Sequence, residues 1–519
     1  MKELGKTSAW QRFAQAVEWA DRHAGHLRIL PAAGLKIDVS AQAWSPELEQ
    51  AGAGLLAEQG FEQAREALFE GGIVNWTENR PAWHTALRSA EPPAGAAGDV
   101  LAERARMRGF VDWANSSNLY RNVVHLGIGG SDWGPRLALE ALGSDTNRRT
   151  VRFASNIDAH AIDRALAGLE PRDTLVIVAS KSFTTAEPLA NARCALQWLR
   201  EAGIESPYDH LVAVTANRQA ARDFGIPDER IFSLWDWVGG RYSVWSSIGL
   251  PIALGLGLDA FDQMLAGAAD MDAHFRTADI AHNAPVQMAL AAVANRSVLG
   301  FGSLAVAPYD ARLANFIPWL QQLEMESLGK TATRDGSTLD VPAGVAVWGM
   351  PGTDAQHTFF QWLHQDGQGA PVDFILCAQP SHDRDDHHRM LVANCLAQRA
   401  ALLRGKSYAE ALEENLAAGM DAEQAALLAH HRVHPGGRPS TLIVMPSLTA
   451  HSLGALLALY EHKVFVEGVL WGINPFDQWG VEFGKALAKH ITQQFDDPQS
   501  LPVEFDASTA YWVRELAGR

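Results

Sequence analysis

Short apolar runs alternate with stretches of three-and-four apolar spacing over most of the chain. From about residue 100 to 255 the runs at 123–126, 151–154, 175–179 and 210–215 read as strands, and the run at 175–179, short and rich in β-branched residues, reads as a buried parallel strand. The intervening segments carry helical stripes; after the third run, Leu189, Ala192, Leu196 and Leu199 share one face. A second alternating region, about 296 to 480, offers strands at 298–307, 345–348, 373–377, 441–445 and 467–470. Its segment 309–330 reads as a helix with an early turn or kink at Pro318. Residues 1–95 read as mostly helical, with amphipathic segments at 10–24 and 46–68 flanking a polar loop, and EPPAGAAGD (91–99) reads as a boundary loop. This alternation predicts an α/β fold with doubly wound parallel sheets, and its recurrence suggests duplicated architecture.

The candidate chemistry sits where strands end and helices begin, the edge at which open α/β sheets take ligands. SKSFTTAE (180–187) puts four hydroxyls and Lys181 between the third strand and its helix. Backbone N–H groups at the helix start, with Ser180, Ser182, Thr185 and the lysine charge, suit a phosphate. Capping is the other reading: Thr184 and Glu187 have capping-box spacing, and Pro188 suits a first helical turn. GIGGS (127–131) lacks the GxGxxG spacing of a dinucleotide site. Gly130 and Ser131 can offer an N–H and a hydroxyl to a sugar or phosphate, or the turn serves packing alone.

Four further residues carry paired readings. Arg241, after two glycines, is either an oxyanion stabiliser or half of a surface ion pair. Gln322 and Glu326 lie four apart on one helix face, so Glu326 is either a general base or a solvated glutamate. His357 follows a Pro/Gly turn near a helix start and is either an acid/base group or a hydrogen-bonded core histidine. Lys485, near the start of an amphipathic helix, opposes the helix dipole unless an anion compensates; a solvated lysine is the alternative.

Composition narrows the classes. A net charge of −17 argues against a nucleic-acid binder. Cys194, Cys377 and Cys395 form neither a disulfide framework nor a CxxC pair, and SHDRDDHH (381–388) matches no zinc spacing. The N-terminal segment reads as an amphipathic helix with acids, not a signal peptide, and no apolar run is long enough to span a membrane. A reducing cytoplasm is the expected location.

Taken together, GIGGSDWGP, SNIDAHAI, ASKSFTTAE, GGRYSVWSSIGLPIAL, QQLEMESLGK, PGTDAQH and HKVFVEGVLWGINPFDQWGVEFGK closely resemble the glucose-6-phosphate isomerase (phosphoglucose isomerase) family, in order and spacing, from about residue 75 to 490. The resemblance implies a smaller sugar-isomerase (SIS) domain at 96–255 and a larger one at 256–480. A helical segment at 1–95 and a C-terminal helical arm at 481–519 complete the expected division. It implies reversible conversion of glucose 6-phosphate to fructose 6-phosphate, in glycolysis and gluconeogenesis, through ring opening and a cis-enediol(ate), without metal or organic cofactor. It also implies a homodimer with a shared active site, His357 reaching into the neighbouring subunit, and no nucleic-acid or membrane partner. By the same resemblance Ser180, Lys181, Ser182 and Thr185 form the phosphate pocket, while Gly130, Ser131 and Gln322 contact the substrate. Glu326 is the base between C2 and C1, Arg241 stabilises the enediolate, and His357 and Lys485 open the ring. The chain departs from the family pattern at Ser182, where threonine is usual, at Pro188 (threonine), Leu328 (asparagine) and Met350 (glutamate). Two alternatives stand beside this reading: a silent sugar-phosphate sensor that keeps only the cradle, and an isomerase that also accepts mannose 6-phosphate.

Overall fold

The computed structural model describes residues 3–20, 26–117, 119–143, 147–496 and 505–517. Strands β3 (Asn122–Leu126), β4 (Thr150–Phe153), β5 (Thr174–Ala179), β6 (Leu211–Thr215) and β7 (Ile231–Ser233) form one sheet in the order β4-β3-β5-β6-β7. Every pairing in it is parallel. All six residues of β5 are buried, as befits a central strand covered on both faces. Val176 and Val178 pack with Ala192, Leu196 and Leu199 of the following helix, Ala186–Glu201. The stripe read in the sequence is the face that closes this core.

The second sheet holds β8 (Ser303–Tyr309), β9 (Ala346–Gly349), β10 (Val372–Cys377) and β11 (Ser440–Met445), joined by a hairpin of β1 (Ile29–Ala32) and β2 (Leu35–Ala41). Its order is β1-β2-β11-β10-β8-β9, with β8 to β11 parallel and the hairpin antiparallel. Counting only the parallel strands, both sheets follow one winding: the second strand on one side of the first, the third and fourth on the other. The recurrence in sequence is therefore a recurrence of topology.

Four segments differ from their expected form. EPPAGAAGD (91–99), read as a boundary loop, is a loop only up to Pro93; from Ala94 it begins the helix Ala94–Ser116. The polar loop between the first two helices contains the β1–β2 hairpin. LKIDVSA alternates with the period of a half-buried strand, and Ala33-Gly34, with φ of 48° and 79°, makes the two-residue turn. Residues 467–470 are not a strand but the end of the helix Ala450–Trp471, buried along nearly its whole length. A short apolar run does not distinguish a buried strand from part of a buried helix. Segment 309–330 is not one helix either: a 3₁₀ turn, Ala311–Leu313, precedes the α-helix Phe316–Gln321 and the π-helical turn Gln322–Glu326.

The chain divides into two compact units, Met1–Pro475 and Phe476–Arg519. The first contains both sheets; the second is built on the helices Glu482–Asp496 and Ala507–Leu516.

Candidate active site

In the first sheet the winding reverses between β3 and β5, since β4 lies outside β3 while β6 and β7 lie beyond β5. The crevice at such a switch point, outside the carboxyl ends of the strands, is where doubly wound sheets bind ligands. The loops leaving those two ends are GIGGS and SKSFTT.

After β5, Phe183 takes a positive φ of 52° and buries its ring, which pins a tight loop. Ser180 Oγ accepts from the Phe183 N–H at 3.2 Å and donates to Thr185 Oγ1 at 3.0 Å, while Ser182 and Thr184 pair their hydroxyls at 2.7 Å. The helix then starts at Ala186, and its N-cap Thr185 makes no side-chain cap hydrogen bond. The capping box read at Thr184 and Glu187 is therefore not formed, and the hydroxyls stay clustered above the helix N-terminus. The Lys181 ammonium turns aside: Nζ donates to the Asp236 and Val238 carbonyls at 2.8 and 2.9 Å. Burial, and then the nearby Arg80 cation, lower its pKa to about 8. Lys181 thus ties the β5 loop to the segment that leads into Arg241.

After β3, the helix Gly130–Leu142 begins directly against that segment. A Cβ on Gly130 would lie 2.0 Å from the Gly240 carbonyl group and 2.4 Å from the Arg241 nitrogen, and one on Gly129 would lie 2.9 Å from Gln322 Nε2. Gly130 is needed for close approach to the backbone and Gly129 for its φ of 57°, which the packing reading and the ligand reading share. Ser131 follows in the first helical turn, half-buried. We expect Gly130→Ala to push the Arg241 backbone away and to lower kcat by about a hundredfold, the scale of a 1 Å misplacement of a reacting group. Steady-state kinetics beside circular dichroism checks this; unchanged kcat in a folded variant would show that the contact does not set Arg241.

The π-helical turn Gln322–Glu326 brings the two ends of its four-residue spacing together, with Gln322 Nε2 donating to Glu326 Oε2 at 2.8 Å. Glu324, between them, points into the core, where Lys463 holds it. Arg241 Nη1 stands 3.4 Å from Glu326 Oε1; the arginine side chain is 1% exposed and the glutamate 21%. Arg241 Nε donates to Ser327 Oγ at 2.7 Å and Nη2 to the Pro475 carbonyl at 2.7 Å. A buried cation and a partly exposed carboxylate thus face each other, a pair able to take a proton from carbon and stabilise the oxyanion left behind.

Glu326, Arg241, Gln322 and the β3 glycines therefore meet, and Lys181 connects the hydroxyl loop to them. His357 does not join them: it is exposed at the end of the 3₁₀ turn Asp354–His357, and among the described residues it makes no hydrogen bond or ion pair with Glu326. The core-histidine reading fails with that exposure. Lys485 lies in the second compact unit, exposed and paired with Glu482 at 2.8 Å. Ser327 and the Pro475 carbonyl, which hold Arg241, escaped the sequence reading; the one available signal was that Ser327 adjoins Glu326. Of the departures, Leu328 is buried, Met350 Sδ accepts from the Thr358 hydroxyl at 3.6 Å, and Pro188 lies in the first turn of the helix Ala186–Glu201.

The profile of the phosphoglucose isomerase family matches residues 38–513. A glucose-6-phosphate isomerase of Bordetella avium is 63% identical over 518 residues, covering 100% of this chain and 99% of the relative. One from Paraburkholderia xenovorans is 44% identical over 488 residues, covering 92% of this chain and 89% of the relative. The crystal structure of a glucose-6-phosphate isomerase from Chlamydia trachomatis superposes with a TM-score of 0.86 at 31% identity, over 100% of this chain and 99% of that one.

Proposed function

Because the chain belongs to the phosphoglucose isomerase family, we propose that it interconverts glucose 6-phosphate and fructose 6-phosphate by moving a proton between C2 and C1 of the open-chain sugar. The observation that carries this is the Arg241–Glu326 pair at 3.4 Å, with Lys181 tying the hydroxyl loop to the segment that leads into Arg241. The phosphate sits on Ser180, Ser182, Thr185 and the N-terminus of the helix Ala186–Glu201; Lys181 serves the pocket through its backbone and its tether to Asp236 and Val238. Gly130, Ser131 and Gln322 contact the sugar. Glu326 takes the proton from C2 and returns it at C1, and Arg241 holds the oxyanion of the enediolate meanwhile. General base catalysis supplies roughly 10²–10⁴-fold, and binding the remote phosphate supplies orientation.

Ring opening needs a second acid/base pair, for which His357 and Lys485 are proposed. The exposure of His357 supports a role across a subunit boundary: in a homodimer it serves the partner's site. Among the described residues no helix is long and apolar enough to cross a membrane. Cys194, Cys377 and Cys395 are free thiols, in keeping with a cytoplasmic location.

The assay is conversion of fructose 6-phosphate to glucose 6-phosphate with excess chelator. Turnover supports the reading; binding without turnover makes the chain a sensor instead. Parallel rates on mannose 6-phosphate decide whether the C2 epimer is accepted. The shared site makes a separate prediction. Homodimers of His357→Ala and of Glu326→Gln are each expected to be nearly inactive. Unfolded together and refolded at equal amounts, half the dimers pair unlike subunits and have one intact site, so activity recovers to about a quarter of wild type. A mixture no more active than its parents would place His357 in its own subunit's site or outside the chemistry.

A further inference from the structure

Arg241 is held away from Glu326 as well as facing it. Charge-assisted N–H···O contacts close to about 2.7–2.9 Å when free to do so, yet Nη1 stops at 3.4 Å from Oε1. The restraint is visible on the far side of the guanidinium. Nε donates to the fully buried Ser327 hydroxyl at 2.7 Å, and Nη2 to the Pro475 carbonyl at 2.7 Å. Those two acceptors form a rack that helps fix the plane and the reach of the group. The rack is braced in turn. The Tyr242 hydroxyl lies 3.2 Å from Ser327 Oγ and donates to the Pro475 carbonyl at 3.4 Å. Burial pushes that phenol up to about 12, so it stays a neutral donor. The Tyr242 ring stacks on His84 with 4.6 Å between centroids, which fixes it from behind. Ser327 also follows Glu326 directly in the chain, so one helical turn carries both the carboxylate and the group that spaces the cation from it.

We propose that Ser327, braced by Tyr242, is a positioning residue that keeps Arg241 from closing onto Glu326 and aims its guanidinium at the developing oxyanion. This rests on the isomerase reading above. Without the hydroxyl, Nε loses its acceptor and one restraint that holds the guanidinium back from the carboxylate is removed. The base is then occupied by an ion pair when it should receive a proton from carbon. Phosphate binding, which uses the β5 loop, is untouched.

The test is Ser327→Ala, with Tyr242→Phe as a milder second variant. For Ser327→Ala kcat is expected to fall roughly ten- to a hundredfold, less than the ~10²–10³-fold cost of deleting an oxyanion donor outright. KM is expected to stay within about threefold. Two inhibitors separate aiming from general damage. A five-carbon aldonate phosphate, whose planar carboxylate mimics the enediolate, loses affinity in step with kcat/KM; glucitol 6-phosphate, which has the phosphate and hydroxyls but no planar anion, keeps its affinity. Tyr242→Phe shows the same pattern at smaller amplitude. The proposal is overturned if Ser327→Ala keeps kcat within about twofold, or if both inhibitors weaken equally. Failure of the isomerase reading looks different: the wild type itself does not interconvert the two sugars, or Glu326→Gln turns over normally.

Discussion

Glu326→Gln loses roughly 10²–10⁴-fold in kcat while still binding fructose 6-phosphate. The substitution is close to isosteric, so the amide keeps a partner in Gln322, 2.8 Å away in the wild type. It removes the carboxylate proposed to accept the C–H proton, and with it the charge facing Arg241 at 3.4 Å. The proposed phosphate loop after β5 and the glycine approach after β3 involve other residues, so KM is expected to change little and the defect to lie in the chemical step. A second readout isolates that step. Run in D₂O, the wild type places solvent deuterium at C2 of glucose 6-phosphate, because the proton resides on an exchangeable base between carbons. The variant is expected to lose incorporation in proportion to turnover. Continued exchange at the wild-type rate would move the base to another residue.

The legible parts of this molecule are those with a local cause. Strands β3, β5 and β6 stand out in the sequence because strands covered on both faces are mostly apolar, and the hydroxyl loop stands out because more serines and threonines cluster there than capping alone needs. The parts that could not be read depend on what lies across the fold. Nothing in LKIDVSA announces that β2 will pair with β11, some four hundred residues later. The apolar run at 467–470 resembles a strand until the continuity of the helix Ala450–Trp471 is known. Lys181 reads as a phosphate ligand by its neighbours in sequence, yet its ammonium is occupied by carbonyls more than fifty residues away. Gln322 and Glu326 were placed on one face correctly, but the π-helical turn that also sends Glu324 into the core against Lys463 comes from tertiary packing. Ser327 shows the same limit at the site itself: a serine beside a glutamate becomes informative only once Arg241 is seen donating to it.

Arg88→Met destabilises the protein by about 3–5 kcal/mol, the usual cost of removing one partner from a buried ionic group. Arg88 comes from the N-terminal region and is fully buried. It meets the Asp272 carboxylate through Nε at 2.8 Å and Nη2 at 2.6 Å, and it donates through Nη1 to Glu461. Its guanidinium also lies over the Trp245 ring, 4.8 Å from the centroid. Asp272 and Glu461 sit on two helices, Leu258–Thr277 and Ala450–Trp471, and Trp245 on the segment that follows Arg241. One cation therefore joins the N-terminal region, two core helices and the segment that follows Arg241. Burial disfavours the charge on Asp272, but Arg88 outweighs it and holds that carboxyl below its usual range. Burial wins at Glu461, which is pushed up to about 7 despite the same arginine. The folded state therefore keeps a proton on Glu461 that the unfolded chain has released above pH ~4.5, and this group's contribution to stability declines as pH rises from about 4.5 to 7. Without Arg88 nothing offsets burial at either carboxyl, so the folded-state values rise further and the deficit of Arg88→Met should be larger at pH 8 than at pH 5. Denaturant titrations of both proteins at the two pH values measure it, with Arg88→Met/Asp272→Leu/Glu461→Leu as the control that removes all the charges and should recover much of the loss. A deficit that is small, or that shrinks at high pH, would mean that water rather than Arg88 solvates the two carboxylates.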